Sequence, residues 1–534
     1  MAGDLAVLHG DPLPDLPARN LAETLIRAAG RADAGEIVFR HGAVPHRVLS
    51  YADLLLDAAR ILRGMRDEGV AAGDRVLVQL RDEPDLLAVF WACQLGGFVP
   101  VPLAADAPAG GSSPAAAMRD GIRVIGGEPW LVSAADPGAP RWLGGAARLR
   151  ADAPARDFHA AGPADLAALL LTSGSTGLPK AVMLTQRNIL SRSWATAIAR
   201  KLSHRNRTFN WMPLDHVGGL IMFHARDVLL GCHQVHARTS WVLEDPLRWL
   251  DLISEHRCDT TWAPNYAFGL VAAQPERIAG RNWDLGGLDY LMNGGEAVKP
   301  KVARRFLDLL APFGLPSTAM HPGWGMSETS SGVVDCVFSA GESGDDDRFV
   351  SVGTPHPGVS VRVVDDVGRL RKTGEVGWVQ VAGSPVTPGY RGNERQNRQS
   401  FTEDGWFKTG DLGFVSAGAL TVTGRADDVI EIAGTACYGH EIEAAVEELD
   451  FVEPSFTVAG ADSSGNGLAV FFHPRSGNSS DLENWRVVDH VANRLGLTVS
   501  RVCPVAKEDV VKTGIGKISR SRMTRNLAAI IGSC

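Results

Sequence analysis

The run Thr172-Ser173-Gly174-Ser175-Thr176-Gly177-Leu178-Pro179-Lys180 gathers small residues, hydroxyls and one cation into a single stretch. Glycines let backbone N–H groups converge on one point, hydroxyls add donors, and a lysine adds positive charge. Together these suit a polyphosphate. The spacing is not that of a Walker A loop, because Lys180 does not directly follow Gly177. Read alone, the run is equally a Ser/Gly surface turn. A second group, His216, His224, His233 and His236, invites a metal reading, but its spacing matches no ligand motif and no carboxylate cluster accompanies it. Trp262 and Trp324 could wall a flat substrate, although aromatics equally build plain core.

These residues need elements to hold them. Leu166–Thr172 (LAALLLT) reads as a buried strand running into the Ser/Gly turn. Thr185 is a suitable N-cap for the helix-like QRNILSRSWATAIA that follows. Arg75–Leu80 is an apolar strand, and Pro84–Leu95 has helical spacing stopped by Gly96-Gly97. Asn210–Gly231 reads as a turn followed by a helix. Alternation of this kind predicts α/β architecture with mostly parallel sheets. Three stretches read as surface connections: Ala104–Ala117, Gly341–Asp347 and Arg475–Asp481. The stretch Thr409–Gly424 reads as a domain junction, and the roughly 110 residues beyond it suffice for one small α+β domain.

Composition narrows the function classes. With 45% hydrophobic and 21% charged residues, the chain has the balance of a globular protein and not of a disordered one. The net charge of −8, without a Lys/Arg block, excludes the electrostatic footprint of a nucleic-acid binder. No apolar run is long enough to span a membrane, and the N-terminus lacks the pattern of a signal peptide. The seven cysteines are scattered and form no CxxC pair, which excludes a disulfide framework and points to a reducing, cytoplasmic setting.

The sequence TSGSTGLPK followed by AVMLT closely resembles the phosphate loop of the adenylate-forming enzymes. These include acyl-CoA synthetases, adenylation domains of nonribosomal peptide synthetases, fatty acyl-AMP ligases and firefly-type luciferases. Further segments follow in the family's order. Asn293-Gly294-Gly295-Glu296 resembles the loop along the adenine, and Gly323-Trp324-Gly325-Met326-Ser327-Glu328-Thr329 the aromatic-Gly-x-Thr-Glu segment, with Trp for the usual Tyr. Trp406–Asp411 resembles the segment whose Asp holds the ribose, and Gly424–Asp428 the hinge. Lys512-Thr513-Gly514-Ile515-Gly516-Lys517-Ile518 resembles the C-terminal lysine loop.

The resemblance implies a large N-terminal domain of mixed and parallel sheets with helices, residues 1–424, and a small mobile α+β domain, residues 425–534. It implies ATP and Mg²⁺ as cofactors and a small-molecule acid as substrate. Ser173, Gly174, Ser175, Thr176, Gly177, Lys180, Gly294, Gly295, Glu296, Trp324, Gly325, Met326, Ser327, Asp411 and Arg425 would bind the nucleotide. Glu328, a hard carboxylate, would bind Mg²⁺, and Asp411 could accept two hydrogen bonds from the ribose diol. Alone, each of these is an ordinary loop or turn residue. Lys517, Glu328, His216 and Thr172 would act in catalysis, and Asp427 would be the hinge. The acid pocket would use His216, Phe223, Asn265, Asn293 and Trp324.

The implied reaction is attack of an oxyanion, normally a carboxylate, on the α-phosphorus of ATP, followed by transfer of the acyl group to a thiol. Ile432–Thr435 would line the thiol tunnel. PLDHVGGL, Phe349–Gly358 and Cys437–Glu443 lean towards the fatty acyl-AMP ligases and the loading ligases of polyketide lines. Tyr438-Gly439 departs from the family's aromatic-Pro pair, and Val511 stands where Pro is common, both near the acceptor face. A second reading therefore stays open, in which nitrite is activated or an amine accepts the adenylate. No carrier segment follows residue 534, so the expected acceptor is a separate carrier protein or CoA.

Overall fold

The computed structural model describes residues 4–40, 42, 47–106, 113–173, 179–339, 341, 344, 347–432, 435–462, 467–512, 518 and 523, with Ser173 and Thr435 as backbone only. Six parallel strands form the centre, in the spatial order Glu36–Arg40, His233–Ala237, Arg207–Asn210, Thr260–Ala263, Tyr290–Gly294 and Met320–Met326. His233–Ala237, Thr260–Ala263 and Tyr290–Gly294 are buried at every position, as strands covered on both faces must be. Beyond Met320–Met326 the sheet continues through antiparallel strands to Val7–His9, so it is mixed.

A second, parallel sheet joins Val99–Pro102, Arg75–Gln79 and Trp130–Ser133. The helix Glu83–Gly96 is buried on nearly all sides. Asp82 caps its first turn and Gly97, at φ 71°, ends it in the left-handed region that glycine adopts without strain. The Leu166–Ser173 strand pairs with Pro179–Thr185 as a hairpin, and Thr185 caps the helix Gln186–Ala199 in a box with Asn188.

Two expectations need correction. Ala104–Ala117 is not wholly a loop, because Ser113 caps a helix that begins at Pro114. Thr409–Gly424 is not a linker: Phe407–Ser416 and Ala419–Arg425 pair as a hairpin inside the large sheet. After Arg425 the chain enters a short 3-10 turn, Ala426–Asp428, and then a small α+β unit. Its sheet joins Val452–Ala461, Leu468–Pro474 and Val499–Pro504, covered by the helices Gly439–Val446 and Asp481–Leu495. Ile442, Val446, Val470, Phe472, Val487 and Val491 close a core of their own there. No helix among the described residues is long and apolar enough to cross a membrane.

Candidate active site

Four parallel strands release their chains at the same edge of the sheet. Asn210 leads to His216, Ala263 to Asn265, Gly294 to Gly295 and Glu296, and Met326 to Ser327 and Glu328. Loops beyond the carboxyl ends of parallel strands are where open α/β sheets bind ligands. One cleft of about 1860 Å³ meets all four, together with Thr172, Lys180, Asp411, Arg425 and Asp427.

Glu328 sits on the 3-10 turn Ser327–Thr329. Tyr390 donates its hydroxyl to Glu328 Oε1 at 2.8 Å, and Lys180 Nζ lies 5.1 Å above the Tyr390 ring. The tyrosine thus spaces a cation and a carboxylate one ring apart. Burial and the Glu328 charge hold its hydroxyl far above the usual range, so it stays a donor. Sequence reasoning missed Tyr390, which lies outside every motif and carries no signal of its own in the sequence.

Trp324 Nε1 donates to Asp411 Oδ2 at 2.8 Å, with both residues buried. Arg425, directly opposite Asp411 in the hairpin, brings its Nε within 3.8 Å of Oδ1. Gly325 must be glycine, because a Cβ there would lie 2.1 Å from the Ser331 carbonyl oxygen. A Cβ on Gly294 would likewise stand 2.6 Å from the Gly323 carbonyl oxygen, and Glu296 Oε1 accepts from the Tyr266 N–H at 2.6 Å.

Another part of the cleft is more apolar. The His216 ring stacks on Trp262 at 6.4 Å and 15°, and its Nδ1 accepts from the Gly218 N–H. Val217, Gly218, Met222 and Val298 add to the lining. Two expected pocket residues are elsewhere. Phe223 is buried in the core under the Arg226 guanidinium and does not line the cleft. Asn293 is fully buried behind the strand end, where its Nδ2 donates to Asn265 Oδ1 at 3.3 Å. Asn265 lines the cleft.

The other three histidines of the group are packed inside. His224 accepts from Trp91 Nε1 and faces Gln234 Oε1 through Nδ1, and His236 meets the same Gln234 oxygen. Among the described residues no cluster of three or more His, Cys, Asp or Glu side chains could hold a metal ion. Gly174, Ser175, Thr176, Gly177 and Lys517, the loop Ala433-Gly434 and the Ser173 side chain lie outside the described residues. The neighbouring Lys512 does reach the cleft, with Nζ 3.3 Å from the Phe456 ring centre. Burial, with Lys507 nearby, brings its amine down to about 8.

The chain matches the AMP-binding enzyme family over residues 26–391. It is 30% identical to the atromentin synthetase invA5 of Paxillus involutus over 95% of this chain and 56% of that protein. The chain spans about half the length of the curated relatives it matches. Among solved structures it resembles McyG A-PCP complexed with phenylalanyl-adenylate, with a TM-score of 0.92 and 33% identity over 99% of this chain and 85% of that one. It also resembles the adenylation domain of a keto acid-selecting NRPS module bound to keto acyl adenylate, with a TM-score of 0.76 and 32% identity over 94% and 100%. A structure from work on the fatty acyl-adenylate ligases of E. coli and L. pneumophila is similar as well, with a TM-score of 0.83 at 21% identity, which shows the shared fold and not that branch. Ordered motifs, a cleft at the carboxyl edge of the sheet and a family match over most of the length agree: the chain belongs to the AMP-binding family of adenylate-forming enzymes.

Proposed function

We propose that the chain adenylates a carboxylic acid with a flat apolar side chain and no ammonium group, an aryl α-keto acid, and passes the acyl group to a phosphopantetheine thiol on a carrier. The observation that carries this reading is the single cleft that joins Lys180, Glu328, Asp411 and Arg425 to the His216–Trp262 wall. Asp411 and Arg425 would hold the ribose, and Gly294–Glu296 with Trp324 the adenine. Lys180 and the preceding loop would take the phosphates. Glu328 would hold Mg²⁺: it is a hard oxygen donor, oriented by the Tyr390 hydroxyl and within the field of the Arg425 guanidinium. When bound, the ion offsets the charge of the phosphates.

A carboxylate oxygen of the acid then bonds to the α-phosphorus as pyrophosphate leaves. The chain contributes alignment, exclusion of water and positive charge, the last from Lys180 and, as the resemblance implies, Lys517. In the second step a thiol sulfur attacks the acyl carbon, and AMP departs with the oxygen that came from the acid. Rotation about Asp427 would exchange the two catalytic faces. Both solved neighbours hold acyl adenylates, which favours a carboxylate over nitrite.

A second reading, an amino acid, rests on Asp215, which lines the cleft. Burial and the nearby Asp106 push its carboxyl up to about 6, as for an acid without a cationic partner. Asp106, its charged neighbour, pairs with Arg81 in an exposed position. A buried ammonium without an anion costs enough that phenylpyruvate should release pyrophosphate roughly 100-fold faster than phenylalanine. The reverse order, abolished by Asp215→Asn, would establish the amino-acid reading. Release with no acid of a broad panel would contradict adenylation.

A further inference from the structure

Arg192 lies on the helix Gln186–Ala199, which starts where the Pro179–Thr185 strand of the phosphate hairpin ends. Its side chain is fully buried and does not line the cleft, yet it reaches the carbonyls of two residues that do. Arg192 Nε donates to the Gly332 carbonyl at 3.1 Å, and Nη1 donates to the Met222 carbonyl at 3.1 Å.

Both carbonyls belong to irregular backbone. Met222 is inside Gly218–Ala225, a π-helix, the widened form of helix that proteins use sparingly and often at functional sites. Gly332 follows Ser330 and Ser331, at φ 56° and 110°, a conformation that non-glycine residues hold only when their surroundings enforce it. Gly332 also faces Gly325 across the strand pair that carries Glu328 at its turn. A guanidinium is a rigid planar fork, so one side chain can fix two acceptors at a set separation. Burial and the neighbouring Arg226 bring the Arg192 guanidinium down to about 10, which leaves it charged near neutral pH. Asp227 and Asp335 supply the opposing charge.

We propose that Arg192 is a positioning residue for the acid site: it ties the π-helical wall at Met222 to the strained turn at Gly332 and so sets the width of the acyl pocket. This rests on the adenylation reading above. A lysine's donors all radiate from one nitrogen, so it cannot reproduce the spread of Nε and Nη1 that holds the two carbonyls at their set separation. Loss of one hydrogen bond from a charged group predicts that Arg192→Lys raises KM for the preferred acid about tenfold. KM for ATP should stay within about twofold, and the ranking of aryl acids of different length should flatten.

Wild-type-like melting with an unchanged acid KM and ranking would overturn the proposal, as would an equal rise in both KM values. Hydrogen exchange of the wild-type protein provides a second test that needs no variant. Tied segments should open together, so amides in 218–225 and 330–335 should show matched opening free energies. Both should slow when phenylpyruvate and a non-hydrolysable ATP analogue are added. Clearly different opening free energies for the two segments would overturn the clamp. If no acid releases pyrophosphate, the function fails, and the exchange comparison still decides on Arg192.

Discussion

Asp411 concentrates the nucleotide account in one side chain. Its Oδ2 already accepts from Trp324 and its Oδ1 faces Arg425, so the carboxylate is oriented before any ligand arrives. Preorientation of this kind lowers the ordering cost of binding. Asp411→Ala removes two charge-assisted bonds to a ribose, and KM for ATP should rise at least about tenfold. An unchanged KM would remove the ribose assignment. That Glu328, Asp411, Arg425 and Lys180 meet in one cleft is legible in the sequence, because their motifs keep residue type and spacing. Tyr390 is not, since a single aromatic outside a motif gives no signal until the fold lays it on Glu328. The family resemblance puts Phe223 in the pocket. The π-helix turns the residues around it differently, leaving Met222 on the cleft and Phe223 in the core.

At the scale of elements, the parallel strands and the Thr185 cap followed from periodicity and capping chemistry. The Phe407–Arg425 hairpin did not, because its glycines read equally as a linker. The His233–Ala237 strand brings in a cost that its sequence also hid. Burial lowers His224 to about 4 from 6.5, and burial, with Arg207 and His256 adding to it, does the same for His233. Between those limits the unfolded chain takes up protons that the folded chain refuses. What these histidines contribute is therefore full above about pH 6.5 and falls as pH drops towards 4, by about 1.4 kcal/mol per unit for each. Buried Glu83 and Asp215, raised to about 7 and about 6, pull the opposite way, so the histidine term is read by difference: in urea unfolding His224→Gln should gain stability relative to the wild type between pH 7 and pH 5. Parallel pH profiles of the two proteins would contradict the account of this buried network.

The whole molecule joins its two units by charges. Arg348 pairs with Glu441 at 2.6 and 2.8 Å, Lys299 with Glu447 at 3.2 Å and Lys301 with Glu448 at 3.4 Å. Lys301 and Arg348 are exposed, and pairs of that kind contribute on the order of 1 kcal/mol or less each, so the observed pose can be exchanged for another without breaking a core. That fits the separate hydrophobic core of the small unit. Ala426 now sits in a 3-10 turn, and a proline at 427 would disfavour that conformation. Asp427→Pro should therefore damage the half-reaction that uses the present pose and spare the other. Equal loss of both would contradict alternation. The broad fold class was legible from alternating elements, and the two-unit plan from the family's order of motifs. The cleft itself depends on contacts between residues far apart in the chain.

The central claim is that a carboxylate oxygen of the acid becomes bonded to the α-phosphorus. Supplying the acid with both carboxylate oxygens as ¹⁸O, and recovering AMP after thiol transfer for mass spectrometry, tests this directly. The account predicts AMP that carries one heavy oxygen. Unlabelled AMP, formed while the acid is consumed, would contradict it.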